Sequence, residues 1–241
     1  MTKGIGLSVL DRVRVAFAHL RQRTPLRVSM TDPWVLVFPE HKVAYIPIPK
    51  AANSSVRAAL LPLIGKEPSE VNRIQAFQGF QKLRYSRFAG MRQSCWFVFT
   101  VVRDPYSRYA SGYLNKLVTR KEVLRPLRRM GLKKGDSFAR YMMLLKAWPQ
   151  VALNEHFAPQ AVLLGGAAKD GLHISKMEEL SQRWPEIAAQ IKKTSGLEVG
   201  QIEHRNKGSA SVPWRSLYDD DTKAIAKSLG ERDFAMFGYV S

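Results

Sequence analysis

The sequence predicts an α/β fold: a single domain with a central parallel sheet flanked by helices. Three observations carry this. Val43 to Leu60, VAYIPIPKAANSSVRAAL, opens with an apolar, partly β-branched run of strand length. It breaks at Pro49-Lys50 and resumes with apolar residues at helical spacing (Val56, Leu60, Leu61, Ile64). Trp96 to Val102 is a continuous apolar run, as a strand buried on both faces requires, and Arg103-Asp104-Pro105 ends it where a helix can begin with Pro in its first turn. Strand and helix candidates then alternate, which argues for a parallel sheet covered by its crossovers, with any ligand at the C-terminal strand ends.

Taken in order, residues 7–22 place Leu10, Val13, Phe17 and Leu20 on one helical face, with Arg12, Arg14, Arg21 and Arg23 largely off it. Residues 1–30 therefore read as a basic amphipathic helix packed either on the domain or on a membrane surface, and residues 31–241 as the domain itself. Thr24-Pro25 ends that helix. Trp34 to Phe38 reads as a short strand and Glu40-His41 as a turn. Residues 66–94, polar and helical in part, supply the crossover between the two motif strands. Ser137 to Trp148 is an amphipathic helix with Ser137 as N-cap. Ala161 to Leu164 and Leu172 to Met177 are short strand candidates, and Glu178 to Lys193 and Asp219 to Leu229 are helix candidates. There is no internal repeat and no low-complexity linker.

A chain of 241 residues with 45% hydrophobic content suits one large domain with a full core. Its 38 Lys+Arg against 20 Asp+Glu give a net charge of +18. That calls for an anionic partner: a nucleotide, a polyanionic sugar, nucleic acid or an acidic membrane surface. Cys95 is the sole cysteine, so no internal disulfide forms, and no Cys/His cluster has metal-ligand spacing. No apolar run approaches the roughly 20 residues that span a bilayer, and the start lacks the long apolar core of a secretory signal.

The break in the first stretch suits an anion. A helix start presents backbone N–H groups and the positive end of the dipole. Ala51, Ala52, Asn53, Ser54 and Ser55 are small enough for close approach, the two serines add hydroxyls, and Lys50 adds a fixed charge. The nucleotide loop G-x-x-x-x-G-K-[ST] is absent, because Lys50 precedes the small residues. An ordinary strand–helix connection has the same look. In the second stretch, Arg103 at the strand end and Ser111 two helical turns on could grip a second phosphate. A salt bridge to Asp104 and a helix-surface serine are the bland equivalents.

With both stretches in place the chain resembles the sulfotransferases that use 3′-phosphoadenosine 5′-phosphosulfate (PAPS). Pro49-Lys50-Ala51-Ala52-Asn53-Ser54-Ser55 is similar to their 5′-phosphosulfate loop, and Arg103 to Tyr113 to their 3′-phosphate motif R-D-P-x-x-R-x-x-S-x-Y. His156-Phe157-Ala158-Pro159-Gln160 resembles the H-[WF]-x-P-Q segment of the carbohydrate-type branch, the Golgi carbohydrate sulfotransferase-like members of sulfotransferase family 2. Ser137-Phe138 opens a helix as in that branch. Lys176-Met177-Glu178 resembles its strand-end K-x-E, and Asp233-Phe234 to Gly238-Tyr239 its closing D-F-x-x-F-G-Y. Together the matches cover most of residues 43 to 239. One departure stands out: the family loop commonly carries Gly or Thr where this chain has Ala52 or Ser54.

The resemblance implies a P-loop-nucleotide-hydrolase-like sulfotransferase fold, PAPS as donor, 3′-phosphoadenosine 5′-phosphate as product, no metal, and a carbohydrate or other hydroxyl as acceptor. Sulfuryl transfer needs a cation at the leaving oxygen, donors around the sulfuryl group and a base for the acceptor hydroxyl. Lys50 is the candidate for the first, with Ser54, Ser55 and loop N–H groups for the second. His156 is the candidate base, because an imidazole titrates near neutrality; His41 and Glu178 are its rivals. His204-Arg205-Asn206-Lys207 resembles the late basic loop that closes over the nucleotide, which makes Arg205 and Lys207 cofactor contacts. Arg108 either pairs with a helix acid or touches the nucleotide. The basic segment Lys116 to Asp136 reads as a landing strip for an anionic acceptor or as a solvated face.

Animal relatives in this resemblance are Golgi proteins with an N-terminal anchor, so the expectation here is a cytoplasmic, bacterial chain with at most peripheral membrane contact through residues 7–22, or one whose anchor was removed. Two other readings stay open. An ATP-using kinase-like protein should carry a Walker lysine and a Mg²⁺-holding acid. A non-enzymatic polyanion- or nucleic-acid-binding protein fits the charge, but no stacking-aromatic or helix-turn-helix signature supports it.

Overall fold

A computed structural model describes residues 6–22, 31–66, 79–92, 95–202 and 213–241. In chain order its elements are α1 (Val9–Gln22), β1 (Trp34–Phe38), β2 (Val43–Ile46), α2 (Asn53–Ala59), β3 (Gln81–Arg84), α3 (Tyr85–Met91), β4 (Phe97–Val102), α4 (Pro105–Tyr113), α5 (Arg125–Arg129), α6 (Phe138–Ala147), α7 (Gln160–Leu164), β5 (His173–Lys176), α8 (Leu180–Ser195), α9 (Asp220–Leu229) and α10 (Glu231–Phe237). Contacts group them into two compact units. One draws on residues 32–103 and 164–207, the other on residues 1–31, 104–163 and 208–241.

The first unit holds a five-stranded sheet in the order β3-β1-β2-β4-β5. It is mixed, which corrects the all-parallel expectation. β2, β4 and β5 are mutually parallel, while β1 pairs antiparallel with both β2 and β3. The cause is the length of the β1–β2 connection. A single turn at Pro39–His41 ends on Lys42 at φ 51°, whose N–H donates to the carbonyl of Pro39 at 3.2 Å. So short a link can only fold the chain back, since a parallel return needs a crossover of a dozen residues or more.

Strand β2 is buried throughout and β4 nearly so, as their apolar sequences demand. Their register sets Ile46 beside Thr100, and the Thr100 hydroxyl donates to the Ile46 carbonyl at 2.7 Å. Helices α2 and α8 cover one sheet face with Val56, Leu60, Leu180, Trp184, Ile187 and Ile191 against Leu36, Tyr45 and Phe99. The spacing of those α8 residues is that of one helical face, and each large side chain so buried contributes about 1.5–3 kcal/mol. Within the crossover, β3 and α3 are present, and β3 is a strand that the polar sequence did not suggest; residues 67–78 and 93–94 lie outside the described residues.

In the second unit, α4, α6 and α9 pack on one another. Their starts are capped by Asp104, which accepts from the Ser107 N–H at 2.7 Å, by Ser137, which accepts from Arg140 N–H at 3.2 Å, and by an Asp219–Thr222 capping box. Ala161 to Leu164 is helical, not a strand. The Asp233 carboxylate accepts from the N–H groups of Gln160 and Ala161 at 2.8 and 2.7 Å, and this distant cap starts α7 directly after Pro159. Helix α1 occupies nearly the expected residues, and the Thr24-Pro25 stop lies outside the described residues.

Candidate active site

In the first unit the C-terminal ends of β2, β4 and β5 share one sheet edge. Lys50 follows β2, Arg103 follows β4, and Lys176 ends β5 in register with Val102. The Arg103 guanidinium donates to the carbonyl of Lys50 at 3.1 Å. This brings the ends of the two sequence motifs together, and three cations stand at one edge. His41 lies just before β2, at the opposite end of the strand from Lys50. Glu178 is exposed in the turn after β5.

The loop between β2 and α2 is tightly wound. Lys50 and Ala52 both adopt the left-handed region, at φ 72° and 52°. Ala52 is the N-cap of α2 and accepts the N–H groups of Ser55 and Val56 at 2.9 and 3.0 Å. A non-glycine residue held there costs about 1–2 kcal/mol, so the fold spends stability to keep this turn. Ala51 and Ser55 are buried, while Ala52, Asn53, Ser54 and Lys50 are half-buried. The Asn53 carboxamide accepts from Arg57 Nε at 3.0 Å. A strand-end loop with small residues, two hydroxyls and a lysine, tied to a strand-end arginine, suits an anionic phosphate or sulfate ligand.

In the second unit Ser111 is half-buried on α4 and His156 half-buried in the turn before α7. The backbone N–H of His156 donates to Asn154 Oδ1 at 3.1 Å, and His156 Nδ1 lies 2.8 Å from that same atom. An atom that accepts a backbone N–H must be the amide oxygen. Nδ1 therefore carries the proton in the neutral ring, and Nε2 carries the lone pair.

Arg108, assigned by sequence either to a helix acid or to the nucleotide, is buried. It donates to the carbonyls of Ala158 and Glu155 at 2.7 and 3.1 Å and thus clamps the turn around His156. Burial lowers its pKa, opposed by the nearby Asp233 carboxylate. Sequence reasoning did not foresee the Asn154, Arg108 and Asp233 supports. The available signal was that Arg108, the histidine segment and the closing D-F motif all fall in stretches that resemble the same family.

Directly after α4 the helix widens to a π-turn at Leu114–Val118, and Lys116 in it is buried, which lowers its pKa, as does Arg120; Glu155 opposes this. In the basic segment, the Lys134 ammonium donates to the carbonyls of Val118 and Arg120, so it serves the turn itself. Arg120, Lys121, Arg125, Arg128, Arg129 and Lys133 are exposed. Arg205 and Lys207 lie outside the described residues. Among the described residues no group of three His, Cys, Asp or Glu is placed to hold a metal ion, and no helix is long and apolar enough to cross a membrane.

A family model described as the sulfotransferase family matches residues 34–240, nearly the whole chain and parts of both units. Neither the curated proteins nor the solved structures contain a significant match.

Proposed function

The chain belongs to the sulfotransferase family, and from that premise we propose that it moves the sulfuryl group of PAPS to a hydroxyl of a carbohydrate-type acceptor by in-line displacement. The observation that supports the donor reading is the Arg103–Lys50 hydrogen bond, which joins at adjacent strand ends the two motifs that the resemblance assigns to the donor's phosphates. A donor with phosphates at both its 3′ and 5′ positions needs two such grips. The Lys50–Ser55 loop takes the 5′-phosphosulfate; Arg103 takes the 3′-phosphate, to which the motif also assigns Ser111. Arg205 and Lys207 are assigned to the nucleotide by the resemblance alone.

The donor supplies an activated sulfuryl group; the chain supplies charge, donors and a base. The Lys50 ammonium neutralises the charge that builds on the leaving oxygen. Ser54 and Ser55 hydroxyls offer donors to the sulfuryl oxygens, an interaction that strengthens as charge accumulates. The resemblance assigns His156 as the base for the acceptor proton, and with Nδ1–H on Asn154 the nitrogen that would take it is Nε2. His41, at the far end of β2 from Lys50, and Glu178, in the turn after β5, are the rival bases. The exposed arginines of residues 120–133 suit an acidic or partly sulfated glycan, because forked guanidinium groups pair with carboxylates and sulfates.

The test is transfer of labelled sulfate from PAPS to neutral and acidic sugar libraries, alongside thermal-shift titrations with 3′-phosphoadenosine 5′-phosphate, ATP and heparin. A ligand that binds the folded state raises the melting temperature. The proposal expects labelled glycan and a shift with the bisphosphate above that with ATP. Stabilisation by ATP alone, or by heparin alone with no labelled product, would overturn it.

A further inference from the structure

Helix α1 carries an apolar face that nothing among the described residues covers. Val9, Leu10, Val13, Phe17 and Leu20 are 80%, 57%, 60%, 57% and 63% exposed. At about 100° per residue the five fall within an arc of roughly 100°. They are five of the eleven large apolar side chains that stand exposed among the described residues, so the patch is concentrated on one helix. The opposite face holds α1 in place. Ala18 and Asp11 are buried there; Arg140 Nη2 donates to Asp11 Oδ2 at 2.9 Å, the Ser8 hydroxyl donates to the same oxygen at 2.6 Å, and His19 Nε2 lies 3.1 Å from the Ala147 carbonyl oxygen. An amphipathic helix ordinarily buries its apolar stripe. This one is docked with the stripe outward.

Charge indicates what covers it. On the helical projection Arg14 and Arg21 border one edge of the stripe and Arg12 lies beyond the other, and the Arg21 guanidinium sits 5.0 Å from the Phe17 ring centroid. The helix's one acid, Asp11, is buried against Arg140. Arg14 also lines a cleft with Lys121, Arg128, Lys133 and Lys134, where Glu122 is the one acid. A second copy would set these arginines against themselves at a net charge of +18 each. It would also bury little, since one stripe about 20 Å long falls short of the roughly 800 Å² per partner that stable interfaces cover. An anionic bilayer meets both features: apolar side chains enter the headgroup boundary and arginines meet lipid phosphates.

We propose that α1 docks this protein on anionic membrane surfaces, lying in the plane of the interface. The proposal is independent of the sulfuryl-transfer reading. It is tested by co-sedimenting the full chain with vesicles of phosphatidylcholine alone and of phosphatidylcholine with phosphatidylglycerol at about 7:3, together with sedimentation velocity. Binding is expected to the mixed vesicles, roughly tenfold or more weaker to phosphatidylcholine alone, and to fall as salt rises. Phe17→Ser with Leu20→Ser should weaken it by roughly tenfold or more, with the melting temperature and monomer sedimentation unchanged. Absent binding to the mixed vesicles, or wild-type binding by the double variant, overturns the proposal. So does a dimer that the double variant converts to monomer, because the stripe would then belong to a second copy.

Discussion

Replacing Arg108 separates a structural clamp from a nucleotide contact. The side chain is 1% exposed and reaches the carbonyls of Ala158 and Glu155, which bracket the histidine turn. Arg108→Ala removes both charge-assisted hydrogen bonds and leaves two carbonyls and the Asp233 carboxylate without their cation. Each such bond is worth about 1.5–3 kcal/mol, and breaking a buried charge arrangement by removing one member typically costs about 3–5 kcal/mol. For a chain of this size one kcal/mol moves Tm by about 2–4 °C, so the variant should melt roughly 6–20 °C lower. Arg108→Lys keeps a cation near Asp233 but cannot fork to two carbonyls, and should lose about half as much. Calorimetry or circular dichroism measures the first effect. Because the loosened turn carries His156, kcat should fall in both variants, while binding of 3′-phosphoadenosine 5′-phosphate stays within about twofold of wild type. A loss under about 1 kcal/mol would refute the clamp. So would a tenfold drop in nucleotide affinity at unchanged Tm, which would return Arg108 to the nucleotide.

Further outcomes follow from the same geometry. Lys50→Ala should lower kcat and kcat/KM together, by roughly a hundredfold or more, with little change in affinity for the spent nucleotide; a rise in KM for PAPS alone would make Lys50 a ground-state contact. His156→Ala should abolish turnover and spare nucleotide binding, and a variant with most of its activity would remove His156 as the base. Ala52→Gly relieves the left-handed strain but enlarges unfolded-state freedom, for a net gain of about 0.5–1 kcal/mol in chemical denaturation; a destabilised variant would contradict the strain argument. Arg125→Ala, Arg128→Ala and Arg129→Ala together should raise the acceptor KM and leave donor KM nearly unchanged, and added salt should mimic this in the wild type, since exposed charges act over about 8 Å at physiological ionic strength. A preference for neutral alcohols, untouched by the triple change, would assign this charge to something else.

The parts of the fold that local chemistry dictates were legible in the sequence. β2 and β4 announced themselves as apolar runs read as ending at Pro49-Lys50 and Arg103-Asp104-Pro105, although β2 ends earlier, at Ile46 before Pro47, and Ser137 and Asp219 cap the helices they were expected to start or flank. What was not legible depends on partners far along the chain. β3, Gln81–Arg84, has no apolar alternation; backbone pairing with β1 makes it a strand, aided by the Arg84 guanidinium 3.9 Å over the Trp34 ring. Ala161–Leu164 is helical because Asp233 caps it, and four apolar residues alone cannot tell strand from helix. The direction of β1 was in fact readable from its short link to β2, but the apolar runs favoured a parallel sheet. On α1 the pattern left open whether the stripe packs on the domain or on a membrane surface; among the described residues it is exposed, and the small Ala18 with the ion-paired Asp11 forms the packed side. At the site, the motif residues were legible as types; the Arg103–Lys50 hydrogen bond and the supports of His156 required the folded chain.

In the proposed function the ends of β2 and β4 together form a site for a nucleotide phosphorylated at both 3′ and 5′ positions. Isothermal titration of the wild type and Arg103→Ala with 3′-phosphoadenosine 5′-phosphate and with AMP tests it most directly. The wild type should prefer the bisphosphate by roughly tenfold or more, and Arg103→Ala should lose most of that preference while AMP affinity changes little. Equal weakening of both ligands by the substitution, or a wild type that does not distinguish them, would contradict the claim.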